Sequence, residues 1–441
     1  MKYNCIIIGS GPSGFYSALS CSKNGYRTAI IENSKPGGTG FRTGCLPMKK
    51  NLDILRKIED AVNISDINIK LEPEFKLNLL KNTEISMAKV ETFILKRLKN
   101  AGVDIYLGDG EFLDSNTFLL NNKRLETDYF IIATGSSPES LPGISLNGKN
   151  IISHNEALVL SELPEDMVII GGNVEGIEMA VLFAGLGVTV TVIEKLKLIL
   201  EGTDRDLVKP VLKNLRDRGV SFYTEVIAES VVEDSKELKV YLSNGKILQT
   251  EKILITGSRK INIPRGLGKT GVKYTKMGIP VNEELMSSIS NIFAVGDVNG
   301  MLGMAHVAIQ QGILITEGLS GKQVTRDYRS LPRAMFTIPE IAGAGDQECN
   351  LDNASNEYFV KKYFLNNTWR GFSKKVRSGF IKLIFKGEIL TGIWMTGPDA
   401  SEVLAASGML IGQKLTQERI LDNLFIHPTM GEAIMEAVIT A

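Results

Sequence analysis

One plan occurs twice in this chain. NCIIIGSGPSGFYSALSCSKNGYRTAIIE, beginning at Asn4, runs from an apolar strand through Gly9, Gly11 and Gly14 to a second apolar strand closed by Glu32. MVIIGGNVEGIEMAVLFAGLGVTVTVIE, beginning at Met167, repeats it from Gly171 through Gly176 to Glu194. In both copies the first glycine and the closing acid stand 23 positions apart. Each copy reads as strand, glycine turn, amphipathic helix and second strand. The first glycine makes the tight turn, the second lets backbone approach a pyrophosphate, and the third lets helix and strand pack closely. The helix N-terminus then offers free N–H groups and a positive dipole end to phosphate. The closing acid accepts hydrogen bonds from ribose hydroxyls. A lone glycine fingerprint is weak, but two at equal spacing predict two dinucleotide-binding folds.

The copies are not equivalent. Pro12 and Ser13 complete an ordinary first turn, whereas the second reads Gly171, Gly172, Asn173, Val174, Glu175, Gly176. Asn173 replaces the glycine that admits phosphate, and Glu175 adds negative charge beside the turn. Asn tolerates left-handed backbone better than most residues, so the turn survives while phosphate binding is expected to weaken. Glu194 favours NAD over NADP because an acid repels a 2′-phosphate; Lys195 and Lys197 blunt that preference. YFIIATGSSP places Ala133, Thr134 and Gly135 after one further apolar strand, and KILITGSRK places Gly257 after another. NIFAVGDVNG sets Gly296 and Asp297 behind a third. An acid there either holds a polyol hydroxyl or is an ordinary turn aspartate.

With 441 residues the chain is too long for one core. Fifty basic and fifty acidic residues cancel, which speaks against a nucleic-acid or anionic-membrane partner. No apolar run reaches the roughly 18 residues of a spanning helix, and no cleavable leader is legible. Four cysteines (Cys5, Cys21, Cys45 and Cys349) are scattered without disulfide or metal spacing. These features read as a cytoplasmic protein with no metal site.

Two residues stand out chemically. Cys45 begins CLPMKKNLDILRKI, a predicted helix with lysines in its first turns. A helix N-terminus and nearby cations favour a thiolate; the alternative is an inert thiol. His427 lies in a rigid His-Pro-Thr turn with Glu432 close by, an arrangement that suits a held, titrating imidazole. For His154 and His306 the sequence suggests only structural roles. Arg42 reads either as a contact for an anionic acceptor or as a solvated loop side chain.

The ordered motifs GGTGFRTGCLPMK (37–49), ATG (133–135), AVGDVNG (294–300), TIPEIAGAG (337–345), GIWMTGPDASEVL (392–404) and HPTMGE (427–432) resemble the class I pyridine nucleotide–disulfide oxidoreductases. Within that family the chain is most similar to dihydrolipoamide dehydrogenase. The resemblance implies an α/β chain with two Rossmann-like domains, for FAD and NAD, and a C-terminal α+β dimerisation domain. The expected boundaries are 1–148 and 266–324 for the FAD-binding and central parts, 149–265 for the NAD-binding domain, and 325–441 for the interface. FAD would contact Gly38, Thr39, Lys49, Met304 and Ala305 besides the first fingerprint, with Asp297 on its ribityl chain. Lys49 and Glu178 look like the ion pair beside the flavin N5. His427 and Glu432 look like the acid–base pair that reaches the partner subunit's site in a homodimer.

The family's loop carries two cysteines, and here Gly40 stands at the first. No internal disulfide can form, so hydride from NADH (less readily NADPH) would pass through FAD to a small or protein-borne acceptor by way of Cys45. Two alternatives stay open. One is a diaphorase-like reductase of quinone, oxygen or peroxide without thiol chemistry; the other is a weakened FAD-binding paralogue with a structural or sensing role.

Overall fold

Both glycine repeats form wound parallel sheets with the same strand logic. The computed structural model describes residues 2–65, 73–234, 237–324, 328–351 and 357–440, with backbone alone at 62–65 and 73–77. In the first sheet, strands Asp104–Leu107, Thr28–Glu32, Lys2–Ile8 and Lys123–Ile132 lie side by side and parallel. Strand Ile292–Ala294 adds to the far side of Lys123–Ile132. In the second, Ser221–Thr224, Thr189–Glu194, Asp166–Ile170, Lys252–Ile255 and Ile151–Ile152 follow one another, all parallel. Their near-continuous apolar runs are what a sheet covered on both faces requires.

The register decides where a ligand fits. Ile8 pairs with Ile132 and Ile170 with Ile255. The residues just beyond, Gly9 with Ala133–Gly135 and Gly171 with Thr256–Gly257, therefore meet at the carboxyl edge where strand order reverses. Open α/β sheets bind ligands in that crevice. Ile292–Ala294 runs in the same direction and delivers Asp297 to the same edge. Helix Ala305–Leu319 then packs onto helix Pro12–Lys23 at Gly312, where a Cβ would lie 2.4 Å from the Ser13 carbonyl oxygen.

An antiparallel sheet closes the chain, in the order Arg333–Met335, Glu340–Gly345, Ile389–Gly397, Phe380–Lys386 and Tyr358–Phe364. Two buried ion-pair sites help fasten it to the rest. Arg56, on helix Cys45–Ser65, pairs with the buried Glu340 at 2.6 Å. Lys382 reaches Asp204, Asp206 and Glu348 at 2.8–2.9 Å. One apolar core runs through all three parts, including Leu52 and Leu55, Ile169 and Phe183, and Trp394.

Candidate active site

The first glycine turn is an open cradle. Gly9 has φ +103°, and a Cβ there would meet the Ala133 carbonyl oxygen at 2.5 Å. A Cβ on Gly14 would lie 1.9 Å from the Gly9 carbonyl oxygen, so the helix can press against the strand only with glycine. Around Gly11, by contrast, the nearest atom to a Cβ would be 3.9 Å away. Gly11 caps helix Pro12–Lys23 without any side-chain bond, leaving that end's N–H groups for a phosphate. Glu32 is fixed by the N–H groups of Ser10 and Ser34, both at 2.9 Å. Cradle, helix end and acid together fit the adenosine diphosphate half of FAD.

From this turn a cleft of about 1040 Å³ runs to the second fold. Gly9, Gly11, Pro12, Ser13, Glu32, Gly38, Thr39, Cys45, Lys49, Ala133, Thr134 and Gly135 line it. So do Asp297, Ala305, Val174, Glu175 and Glu178. Gly14, Gly171, Asn173, Gly176, Glu194, Gly257, Gly296 and Met304 stand behind this wall or outside it. Gly296 packs against Ser13, where a Cβ would come within 2.8 Å of the hydroxyl oxygen. Asp297 accepts from the Ser136 hydroxyl, and Ser136 in turn accepts from Arg259 at 2.8 Å. Arg259, also in the cleft, escaped the sequence reading; its only signal was a basic residue two positions after the Thr-Gly turn.

Residues Thr39–Thr43 form a π-helical turn that leads through Gly44 into helix Cys45–Ser65. A Cβ on Gly40 would sit 2.3 Å from Pro12 Cγ, so the wall has closed over the place where a side chain is absent. Cys45 begins the helix as expected, but its pKa is shifted away from the thiolate that the sequence suggested. Burial raises it, and Glu178 and Asp297 add to this, outweighing the nearby Lys49 and Arg259. Lys49 donates to Glu178 at 2.6 Å, and Glu178 also accepts the Phe336 N–H at 2.9 Å. Burial opposes the Lys49 charge, yet Glu178, Cys45 and Glu175 together raise its pKa, so it stays a cation. Arg42 neither lines the cleft nor is solvated: it turns to Glu91 at 3.7 Å and its side chain is 14% exposed.

The second turn keeps the same skeleton with altered fittings. A Cβ on Gly176 would lie 1.9 Å from the Gly171 carbonyl oxygen, the same distance as in the first turn. Glu194 holds the N–H groups of Gly172 at 2.6 Å and Leu196 at 2.8 Å. Asn173, however, caps its own helix by accepting the Gly176 N–H at 3.0 Å. Its amide also lies 2.1 Å from where a Cβ on Gly257 would be. One helix-end N–H fewer is therefore free at this turn than at the first.

Glu175 does not face the phosphate position. It bonds His154 Nδ1 at 2.9 Å. Burial pushes the Glu175 carboxyl up, but the His154 hydrogen bond and charge, with Arg259 and Lys49, carry it below the usual range. His154, assigned a purely structural role from sequence, lines the cleft.

His427 and Glu432 pair as expected, Nδ1 to Oε1 at 2.9 Å, and the Thr429 N–H holds the other carboxylate oxygen at 2.8 Å. Burial opposes the Glu432 charge, but His427 and this N–H lower its pKa. His427 is 62% exposed and does not line its own chain's cleft. Leu424, Ile426, Trp369 and Phe372 are exposed with it. Cys5 and Cys21 are fully buried; contact with Cys21 and burial push the Cys5 thiol far up. Neither lines the cleft.

Two glycine-turn folds, a cleft joining them and a C-terminal antiparallel sheet define a class of flavin and pyridine nucleotide oxidoreductase. The chain belongs to the pyridine nucleotide–disulphide oxidoreductases: that family's model matches residues 3–312, and its dimerisation-domain model matches 331–438. Dihydrolipoyl dehydrogenase from Staphylococcus aureus is 32% identical over 451 residues, covering 99% of this chain and 96% of that one. The enzyme of the same name from Geobacillus stearothermophilus is 31% identical, covering 98% and 94%. Among solved structures, LpdA from Mycobacterium tuberculosis superposes with a TM-score of 0.91 at 23% identity, covering 99% of each chain. The flavoprotein disulfide reductase RclA from Escherichia coli superposes at 0.88 and 23%, covering 100% of each. These two share the fold. Among the described residues no helix is long and apolar enough to cross a membrane.

Proposed function

We propose that this chain is an NADH-linked FAD oxidoreductase that passes its electrons directly from the flavin site to a small acceptor, not through a disulfide of its own. The carrying observation is the closed wall at Gly40, with Pro12 filling the space beside the single cysteine. The raised Cys45 thiol favours this reading over the relay through Cys45, since only a thiolate attacks or is oxidised readily. FAD would supply a ring that accepts hydride and releases electrons. Gly11, the end of helix Pro12–Lys23 and Glu32 would hold its adenosine diphosphate part, and Asp297 its ribityl chain.

Lys49 keeps a fixed positive charge in the cleft, and Glu178 holds Lys49 in place while tying it to Phe336. Glu194 would select NADH through its ribose. The exposed His427–Glu432 pair and the apolar residues around it support a homodimer in which His427 of the partner subunit completes each site. The acceptor would then be reduced in a cleft shared by two chains.

Anaerobic titration of the FAD-loaded protein with NADH tests the proposal. Uptake of one electron pair per subunit is expected, together with turnover of quinone-type acceptors that Cys45→Ser leaves intact. Uptake of two pairs, or loss of every acceptor in Cys45→Ser, would refute direct transfer. Failure of NADH to bleach the flavin at all would favour the structural or sensing role instead.

A further inference from the structure

A second histidine–carboxylate pair is buried where the first is exposed. His154 Nδ1 meets Glu175 Oε1 at 2.9 Å, the same atoms and distance as His427 and Glu432. The His427 side chain is 62% exposed and that of His154 only 4%. His154 Nε2 is buried without a hydrogen-bond partner. It lies 3.5 Å from where a Cβ on Gly44 would stand, one residue before Cys45, and the ring lines the cleft. An unpaired buried nitrogen costs about 1–3 kcal/mol, so a ring aimed this way points to a ligand that engages it.

The backbone here is held firmly. Ser153 caps the short helix His154–Ala157, and Glu156 returns a bond to the Ser153 N–H at 2.9 Å, a complete capping box. Glu175 accepts from Nδ1–H, which leaves Nε2 as the unpaired nitrogen of a ring that lines the cleft. When the ring is protonated, Nε2–H becomes a donor at the same point. That is the arrangement of a proton carrier with a fixed tautomer. It also accounts for Glu175, which is turned from the phosphate position toward the imidazole.

We propose that His154 is a proton-carrying residue of the cleft, delivering its Nε2 proton to a quinone-type acceptor as that acceptor receives a hydride, with Glu175 positioning the ring. The proposal rests on the direct-transfer reading above. NADH would bring a hydride, which is two electrons and one proton, and bound FAD would supply the ring that carries it toward the acceptor. The acceptor's second oxygen takes the proton as the His154 Nε2–H bond breaks. A proton from solvent then returns to Nε2, so that NADH, H⁺ and quinone become NAD⁺ and hydroquinone. The other ionisable groups around the pair are Lys49, Cys45, Glu178 and Arg259, with Glu156 on its own helix.

Two measurements test this. The ¹⁵N spectrum of the ring nitrogens in the FAD-loaded protein is tractable with three histidines in the chain, and His154→Gln assigns the signal. A proton on Nδ1, facing the Glu175 carboxylate, is expected for His154; a ring whose Nδ1 is bare would overturn the proposal. The second measurement is the rate at which flavin, once bleached by NADH, is reoxidised by a quinone or by ferricyanide, which takes electrons without protons. In His154→Gln the quinone-to-ferricyanide rate ratio should fall about 10²-fold. Glu175→Gln should lower the same ratio, and Glu175→Asp should restore part of it. A ratio unchanged in His154→Gln would make the pair merely structural. No bleaching of the wild-type flavin by NADH would instead sink the reading beneath it, leaving the tautomer result to stand alone.

Discussion

Lys382 gives the sharpest energetic test of this architecture. Its side chain is 0% exposed, and its ammonium donates to Asp204 at 2.9 Å and to Asp206 and Glu348 at 2.8 Å. Replacement by methionine keeps the length and removes the charge. Glu348 is 52% exposed, and Asp206 is 34% exposed and keeps Lys362 at 2.6 Å, so both recover. Asp204 is 2% exposed and keeps the N–H groups of Glu348 at 3.1 Å and Cys349 at 2.7 Å. The cost therefore falls on one buried carboxylate. Removing one partner of a buried pair costs about 3–5 kcal/mol, and the two surviving N–H bonds place Lys382→Met near the lower end.

Guanidinium unfolding, followed through tryptophan emission, measures that loss. Adding Asp204→Asn should recover much of it by removing the stranded charge. A single variant within about 1 kcal/mol of wild type, or a double variant no better than the single, would refute the reasoning. Burial pushes the Asp206 carboxyl up, yet Lys362 and Lys382 hold it below its usual range. A carboxyl depressed in the folded state stabilises above its unfolded pKa of about 4, and that contribution is lost as pH falls through the folded value. Wild type should thus lose stability more steeply than Lys382→Met below about pH 4.

Three further outcomes are expected. Gly40→Cys must reopen the space held by Pro12 and should cost about 1–3 kcal/mol, partly relieved by Pro12→Ala; melting at the wild-type temperature would mean that the loop moves freely. Asn173→Gly frees the Gly176 N–H and should tighten NADH by about 1 kcal/mol, some fivefold, for a few tenths of a kcal/mol in helix capping; calorimetry showing unchanged affinity would clear Asn173 of obstructing phosphate. Iodoacetamide should label Cys45 more slowly than a free thiol at pH 7 and accelerate only above about pH 8.5; rapid labelling at neutral pH would restore the thiolate.

Residues that act through their own backbone were legible in the chain. Gly9, Gly14, Gly171 and Gly176 announce tight turns and close helix packing because no other residue fits there, and Glu32 and Glu194 follow at a spacing that one strand–helix–strand unit dictates. The antiparallel sheet was visible only as motifs of a family, and its Lys382 pin lies in none of them. Arg259 and His154 were missed because each matters through partners from distant segments: Ser136 for the one, Glu175 for the other. The sign of the Cys45 shift was also out of reach, since a helix end and lysines are written in the sequence and burial is not.

The sequence by itself determined two nucleotide folds, their unequal fingerprints and a loop with one sulfur, because steric rules for glycine and the period of apolar residues operate over a few neighbours. Only the tertiary structure decided what the odd residues do. Asn173 turns inward to cap its helix, Pro12 covers Gly40, and Glu175 turns from phosphate to imidazole. The reason is that a side chain's charge and bonding depend on what the fold places within a few ångströms of it, and those neighbours come from everywhere along the chain.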